Sequence, residues 1–287
     1  MCSFNLRKLR WVFAVSLISH CAYLHVKAEL APVAPKAYAP ELPASRGLDS
    51  NLYMQTSAEY RACCLQAYNL ASAKVQQHLA CRRDPTKPPA VVMDLDETVF
   101  DNGGFQAEQV RSRLAFDSRL FEVWERDHEK HVALIPGAKR FIEGAWKQGV
   151  VVFFVSNRQQ KYLKQAKASL AINGIPIDDD ALLKLNSDPS DGKKTARCNE
   201  VREKYDVLLM VGDNLRDFDE KFKCGPLGNR TPAELRVAIE ARKARVDEDE
   251  ASWGEDWIIL PNPAYGEWTK PLGRGIKDHE LLAEPER

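Results

Sequence analysis

The chain has 287 residues, of which 41 are Lys or Arg, 41 are Asp or Glu and 44% are apolar. This length provides enough core for one large domain or two small ones. The zero formal charge argues against a protein that binds nucleic-acid polymers through a general basic surface. No apolar run reaches the roughly 18 residues that a membrane-spanning helix needs. We therefore expect a globular chain.

Residues 1–28 have the pattern of an export signal. Three basic residues precede an apolar stretch from Trp11 to Leu24, and the segment contains no acidic residue. A basic start, a short apolar run and a V-x-A site ending at Ala28 are typical of a secretory signal peptide, with an uncleaved anchor as the alternative. Cleavage after Ala28 would leave 37 basic residues against 41 acidic ones, so the mature charge would be −4.

The run Leu17–Cys21 loosely resembles a bacterial lipoprotein box, although His20 stands where that box has a small residue. The sequence therefore leaves open whether cleavage follows Ala28 or whether Cys21 carries a lipid anchor in the outer membrane. In either case we expect an exported protein in the periplasm, at the outer membrane or secreted.

Five cysteines follow the export segment, and because this number is odd at least one thiol is expected to be free or to pair between chains. Cys64 and Cys81 are predicted on one helix, which would place them roughly 25 Å apart and out of disulfide reach. Pairing of Cys81 with Cys198 or Cys224 stays open. The absence of a C-x-x-C pair argues against a zinc site.

The proline-rich segment 29–50 is predicted to be a linker, and the domain is expected over 51–287. Residues 52–81 are predicted to form one long helix, because apolar residues recur at helical spacing and no Gly or Pro interrupts them. The apolar positions are Cys64, Tyr68, Ala71, Val75 and Leu79.

Beyond this helix, apolar runs alternate with helical segments. The runs are 90–94, 150–155, 182–185, 207–211 and 257–260, and the helical segments include 137–148, 158–173 and 192–204. Continuous Val, Leu and Phe runs are typical of strands buried on both faces, so we expect an α/β fold with a Rossmann-like parallel sheet flanked by helices. Segments near 51–85 and 103–135 are predicted to form a small, mainly helical cap.

Polar side chains follow several of these strands, and ligands of parallel sheets lie beyond the carboxyl ends of the strands. Asp94 and Asp96 follow the first run, Ser156-Asn157-Arg158 the second, and Gly212-Asp213-Asn214 the fourth, while Lys194 lies between the third and fourth. Buried carboxylates are costly unless a cation offsets their charge. This pattern indicates cation-assisted phosphoryl transfer.

These residues resemble the four motifs of the haloacid-dehalogenase superfamily: Asp94–Thr98, Ser156, Lys194 and Gly212–Asn214. The closer resemblance is to the bacterial class C acid phosphatases, the lipoprotein acid phosphatase and 5′-nucleotidase family. Its further traits here are Asp101-Asn102, an S-N-R triplet, a K-x-A-R motif and the run 260–268. The resemblance covers about residues 52–268.

The resemblance implies catalytic roles. Asp94 would be the nucleophile that forms an aspartyl-phosphate, and Asp96 the general acid and then base. Mg²⁺ would be held by the carboxylates of Asp94 and Asp213 and the backbone carbonyl of Asp96. Ser156 would donate to a phosphoryl oxygen, and Lys194 would offset negative charge, although its neighbour could compete for that role.

Four further polar residues are implied in support. Asp217 and Thr98 would contact the metal ligands rather than the ion. Asn157 and Arg158 would bind the substrate, with a helix cap at Asp217 and a surface ion pair at Arg158 as the structural alternatives.

Two aromatic residues, Phe121 and Tyr265, occupy positions at which the resembled family is expected to sandwich a nucleobase. Packing within the cap core is the alternative for Phe121. We therefore predict an exported, Mg²⁺-dependent acid phosphatase for nucleoside 5′-monophosphates. A broad-specificity phosphatase for sugar phosphates or phosphotyrosine, or an inactive surface binding protein, is the alternative. The sequence leaves open whether the chain forms a homodimer.

Overall fold

A computed structural model of the protein describes residues 47–114, 117–127, 129–188, 190–224, 230–272 and 281. The predicted signal peptide, Cys21 and most of the predicted linker lie outside these residues. The end of that predicted linker belongs to a helix, which begins at Leu48. Among the described residues, no helix combines the length and apolar character needed to cross a membrane.

Seven strands and eight α-helices organise the described part of the chain. The strands are β1 (Pro89–Met93), β2 (Phe100–Asp101), β3 (Ala133–Leu134), β4 (Val151–Gln159), β5 (Leu183–Asn186), β6 (Asp206–Gly212) and β7 (Trp257–Ile259). The helices are α1 (Leu48–Thr56), α2 (Ala58–Ala80), α3 (Gly103–Arg111), α4 (Ser118–Asp127), α5 (Ala138–Lys147), α6 (Leu163–Ile172), α7 (Thr195–Lys204) and α8 (Pro232–Glu248).

The central sheet has five parallel strands in the order β5-β4-β1-β6-β7. Side chains of its middle strand β1 alternate between two cores: Val91 and Met93 join one cluster, and Ala90 and Val92 join the other. Because both faces of the sheet are covered by a core at this strand, the sequence of β1 is one continuous apolar run. The predicted α/β fold with a parallel sheet is confirmed.

The predicted single helix over 52–81 is wrong in one respect, because the structure has two helices there. Ser57 separates them in an extended conformation (φ −83°, ψ 139°), and its hydroxyl accepts the backbone N–H of Tyr60 as an N-cap. Four residues of the predicted apolar stripe of α2 are buried, and the fifth, Leu79, is half-buried against the same core. A serine cap interrupts a helix without the Gly or Pro that would signal the break.

Segment 103–135 contains α3 and α4, and the antiparallel pair β2–β3 lies at its borders. Helix α8 was not predicted from the sequence. Its start carries a signal that could have revealed it, because Thr231 and Glu234 form a reciprocal capping box around Pro232 at the first turn. The five cysteines in the described region, at positions 63, 64, 81, 198 and 224, all have free thiols.

Candidate active site

The predicted site residues meet at the carboxyl edge of the central sheet. Asp94 follows β1, and its backbone N–H donates to Val211 in β6 at 3.0 Å. Ser156 lies near the end of β4, and Asp213 follows β6 directly. These three adjacent strands therefore bring residues more than fifty positions apart in sequence to one edge.

A buried lysine pairs with two carboxylates at this edge. The Lys194 ammonium donates to Asp94 Oδ1 and, at 2.7 Å, to Asp217 Oδ1, and all three side chains are almost fully buried. Burial raises the pKa of Asp94 well above its usual value, against the opposing effect of Lys194. Burial alone would lower the pKa of Lys194, but the charges of Asp217 and Asp94 outweigh it and raise that pKa. Lys194 is therefore a permanent cation beside Asp94.

Three carboxylates form a group that could hold a metal ion. One oxygen each from Asp94, Asp213 and Asp217 lies within 4.8 Å of the others. Burial, and next the charge of Asp217, raise the pKa of Asp213 to about 7. A hard divalent cation is the natural partner for oxygen ligands whose mutual repulsion is this strong. The donor set therefore fits the divalent metal expected from the sequence.

Two side chains orient Asp213. Thr98 Oγ1 donates to Asp213 Oδ1 at 3.2 Å, so Thr98 contacts a predicted metal ligand. Asn262 Nδ2 donates to Asp213 Oδ2 at 2.8 Å, a role that the sequence did not indicate although Asn262 lies in the noted run 260–268. Asp217 Oδ2 in turn accepts the backbone N–H of Asn214 at 2.9 Å.

Asp96 is held by a second cluster. Arg158 donates to Asp96 Oδ1 through Nη2 at 2.7 Å and through Nε at 2.9 Å, and Asn102 Nδ2 donates to the same oxygen at 2.8 Å. Arg158 therefore forms a buried ion pair with Asp96 instead of the surface ion pair considered as the alternative, and its substrate contact stays a prediction. Arg158 is only 3% exposed, and a buried guanidinium requires a partner of opposite charge.

Ser156 and Asn157 point in different directions, because successive side chains of a strand leave opposite faces. Ser156 is buried, and its hydroxyl lies 3.4 Å from Asp96 Oδ2. Asn157 is exposed; its Nδ2 donates to the Gly192 carbonyl at 3.0 Å and its Oδ1 accepts from Arg197 at 2.7 Å. Asn157 thus holds the loop that precedes Lys194, and its substrate contact stays a prediction.

Glu97 is a buried acid that the sequence did not single out beyond its motif. It has a left-handed backbone (φ 56°), and its carboxylate accepts the backbone N–H of Asn102 at 3.1 Å. Full burial, and next the charges of Asp96 and Asp213, raise its pKa well above the usual value. The raised pKa favours a neutral Glu97, which limits the negative charge gathered at this edge.

The two predicted stacking residues lie in different surroundings. Phe121 is half-buried and packs edge-to-face on Phe105, with ring centroids 5.3 Å apart. Tyr265 lines a cavity of about 580 Å³ together with Asp213 and Trp268. Among the described residues that line this cavity, Phe121 does not occur. Of the two predicted stacking residues, Tyr265 therefore lines the same cavity as the predicted metal ligand Asp213, and Phe121 does not.

A parallel α/β sheet that presents a lysine-paired aspartate and a group of acids able to hold a cation at its carboxyl edge is the arrangement of a phosphohydrolase of the haloacid-dehalogenase type. A family model described as HAD superfamily, subfamily IIIB (Acid phosphatase), matches residues 12–268. The chain belongs to this family and is a phosphoric monoester hydrolase, which confirms the resemblance stated from its motifs.

Solved structures support the same assignment. The class C acid phosphatase from Bacillus anthracis is 28% identical, superposes with a TM-score of 0.73, and is matched over 86% of this chain and 100% of its own. The crystal structure of that class C acid phosphatase with tungstate bound gives 27% identity, a TM-score of 0.71, and coverage of 85% and 99%.

Proposed function

We propose that the chain is an exported, Mg²⁺-dependent acid phosphatase that hydrolyses nucleoside 5′-monophosphates through an aspartyl-phosphate on Asp94. The observation that carries the mechanism is the position of Asp94, a buried carboxylate paired with Lys194 inside a group of acids able to hold a cation. The tungstate bound by the Bacillus anthracis relative supports an oxyanion site, since tungstate is tetrahedral like phosphate.

The carboxylates of Asp94 and Asp213 and the carbonyl of Asp96 would hold Mg²⁺, which supplies positive charge to the phosphoryl oxygens. A carboxylate oxygen of Asp94 attacks phosphorus while the bond from phosphorus to the ester oxygen breaks. Asp96 gives its proton to the leaving alkoxide. Asp96 then takes a proton from a water whose oxygen attacks phosphorus, the bond to Asp94 breaks, and phosphate leaves.

Two further residues assist these steps in the proposal. Lys194 stays charged throughout, so it neutralises the Asp94 carboxylate and then the phosphoryl group attached to it. Ser156 donates to a phosphoryl oxygen. Its contact with Asp96 at 3.4 Å is long for a hydroxyl donor, so binding phosphate exchanges a weak hydrogen bond for a charge-assisted one.

We expect Mg²⁺ to stabilise the protein more at about pH 7.5 than at about pH 5.5. The pKa of Asp213 is raised to about 7, so without metal its ionisation costs stability as pH rises toward neutrality, and Mg²⁺ binding requires the ionised form. Thermal unfolding with Mg²⁺ and with EDTA at both pH values measures this, with Ca²⁺ and Mn²⁺ as comparisons. Equal shifts at both pH values would contradict the acid cluster as the binding site. EDTA should also abolish turnover.

Replacing Tyr265 by Ala should raise KM for AMP by roughly tenfold, because stacking of a base on an aromatic ring contributes about 1–3 kcal/mol. The same variant should change KM for glucose 6-phosphate little, since that substrate has no base. If Phe121 stacks on the other face of the base, Phe121→Ala should likewise raise KM for AMP and change KM for glucose 6-phosphate little. A matched loss for both substrates would show that Tyr265 serves the fold rather than base binding.

A broad-specificity phosphatase is the second candidate, and one observation favours it: Phe121 does not line the cavity bordered by Tyr265, so the predicted pair of stacking residues does not face that cavity together. Comparable kcat/KM for AMP, nicotinamide mononucleotide, glucose 6-phosphate and phosphotyrosine would support this candidate. A preference of tenfold or more for the two nucleotides would support the nucleotidase.

Export is proposed from the sequence of residues 1–28 alone. Expression of the full chain in a bacterial host should yield a mature protein that begins at Glu29, as N-terminal sequencing and intact mass would show. Incorporation of labelled palmitate that is lost in Cys21→Ala would instead establish the lipid anchor. A cytoplasmic product that retains Met1 would contradict export.

A further inference from the structure

Asn102 lies beside the proposed general acid, and the mechanism above does not use it. It precedes helix α3, at the position where an asparagine side chain ordinarily caps the first N–H groups of a helix. Its side chain makes no such bond here. The carboxylate of Asp101 accepts the backbone N–H of Gly103 at 2.7 Å instead. The Asn102 side chain is thus turned away from the helix and toward the catalytic acids.

The Asn102 amide uses its whole hydrogen-bonding capacity in this cluster. Its Nδ2 donates to Asp96 Oδ1 at 2.8 Å and to Glu97 Oε2 at 3.3 Å. Its Oδ1 accepts from Trp124 Nε1 at 2.8 Å and from Arg158 Nη2 at 3.1 Å. Since both partners of Oδ1 are obligate donors, the reversed amide orientation would set N–H against N–H. The orientation of the amide is therefore determined by its neighbours.

Trp124 reaches Asn102 from helix α4 and is itself tightly packed. It is 8% exposed, and its ring centroid lies 6.0 Å from that of Phe105. A Cβ atom added to Gly104 would lie only 3.0 Å from the indole ring, so the glycine permits this close approach. The direction of the indole N–H is consequently set by packing.

The two oxygens of Asp96 are not equivalent. Oδ1 accepts three short bonds, from Nη2 and Nε of Arg158 and from Asn102, at 2.7, 2.9 and 2.8 Å. Oδ2 has only longer contacts, with Arg158 Nε at 3.2 Å and the Ser156 hydroxyl at 3.4 Å. An oxygen that already accepts three short hydrogen bonds has no room for a further partner, so Oδ2 is the oxygen of Asp96 that is open to one.

We propose that Asn102 is a positioning residue that keeps Asp96 Oδ1 saturated with donors and thereby makes Oδ2 the oxygen that exchanges the proton with the leaving group. Trp124 holds Asn102 in the required orientation. The inference rests on the proposed role of Asp96 as general acid. Without Asn102, Oδ1 loses a donor and the carboxyl group gains freedom to turn about its own axis, which misplaces the proton.

The test compares kcat/KM for two substrates, because this ratio reports cleavage of the bond to the leaving group. AMP releases an alkoxide that needs a proton, whereas p-nitrophenyl phosphate releases a stabilised phenolate that needs little assistance. Asn102→Ala should lower kcat/KM for AMP by roughly tenfold or more and that for p-nitrophenyl phosphate by less than about threefold, since general acids typically contribute factors of 10²–10⁴. Asn51→Ala, at another buried asparagine, is the matched control. It should leave the kcat/KM for AMP relative to that for p-nitrophenyl phosphate unchanged.

Asp96→Asn separates failure of the inference from failure of the proposed function. If Asp96→Asn impairs AMP selectively but Asn102→Ala impairs both substrates equally, Asn102 is merely structural and the inference is wrong. If Asp96→Asn itself impairs turnover of both substrates equally, Asp96 is not the general acid. The inference about Asn102, which rests on that role, is then wrong as well.

Trp124→Phe keeps the inference testable if Asn102→Ala does not fold, because it removes the indole N–H that donates to Asn102 while an aromatic ring stays at this position. It should reproduce the selective loss for AMP on a smaller scale. Trp253→Phe is its control, since Trp253 Nε1 donates to the Val246 carbonyl at 3.0 Å outside the Asp96 cluster. An unchanged substrate ratio in folded Trp124→Phe would contradict the role assigned to Trp124.

Discussion

Replacing Asp94 by Asn is expected to lower kcat by roughly three orders of magnitude or more for every phosphomonoester, as removal of a hydrolase nucleophile does. The amide keeps the size of the carboxylate but cannot attack phosphorus or serve as an anionic metal ligand. Because burial raises the pKa of Asp94 and Lys194 keeps its ion pair with Asp217, the variant should lose less stability without metal at neutral pH than a variant that lacks Lys194. Turnover of p-nitrophenyl phosphate and urea unfolding would measure the two effects.

Asp206→Asn is the matched control, because Asp206 is also a buried aspartate at the end of a sheet strand. Asp206 is the first residue of β6, so it lies at the amino ends of the strands, away from the active site. Its carboxylate pairs with Arg82 at 3.2 Å. Its loss should cost about 2 kcal/mol of unfolding free energy, as for a hydrogen bond between charged groups, and leave kcat nearly unchanged. Retained turnover in folded Asp94→Asn would overturn the covalent mechanism.

Replacing Lys194 by Met is expected to affect stability and activity together. Removal of one member of a buried ion-pair cluster typically costs about 3–5 kcal/mol, because the remaining charges are left uncompensated. The cost should be larger at about pH 8 than at about pH 5, since the raised pKa of Asp94 lets it take up a proton as the pH falls. We expect kcat to fall by roughly 10²-fold or more, because charge on Asp94 and phosphate is no longer offset.

Lys193→Met tests whether the effect belongs to the position or to charge in general. Lys193 is exposed, and its backbone N–H donates to Asp191 at 3.0 Å. Chemical unfolding at both pH values and steady-state rates should show wild-type behaviour for this variant. Equal losses at positions 193 and 194 would mean that a diffuse positive field, rather than the buried ion pair, supports the reaction.

Lys194 and Arg158 show what a local motif can and cannot indicate. The K-x-A-R pattern favoured Lys194 over its neighbour, and the structure buries Lys194 against Asp94 and Asp217 while Lys193 is exposed. Arg158 shows what a local motif leaves out. Its triplet indicated a substrate contact, which stays a prediction, but gave no sign of the ion pair with Asp96, which lies 62 positions away in sequence. No local pattern encodes such a partner.

The sequence by itself determined the family, the parallel sheet and the identity of the acids at its carboxyl edge, because continuous apolar runs and the motifs that follow them are local features. It also displayed the basic, apolar start of residues 1–28 within a chain of zero formal charge. Only the tertiary structure decided which groups neutralise one another. Asn102 contacts Trp124, 22 positions away, and Arg158, 56 positions away, and Asn262 contacts Asp213, 49 positions away. The pKa values of Asp94 and Asp213 follow from the burial that such long-range packing creates.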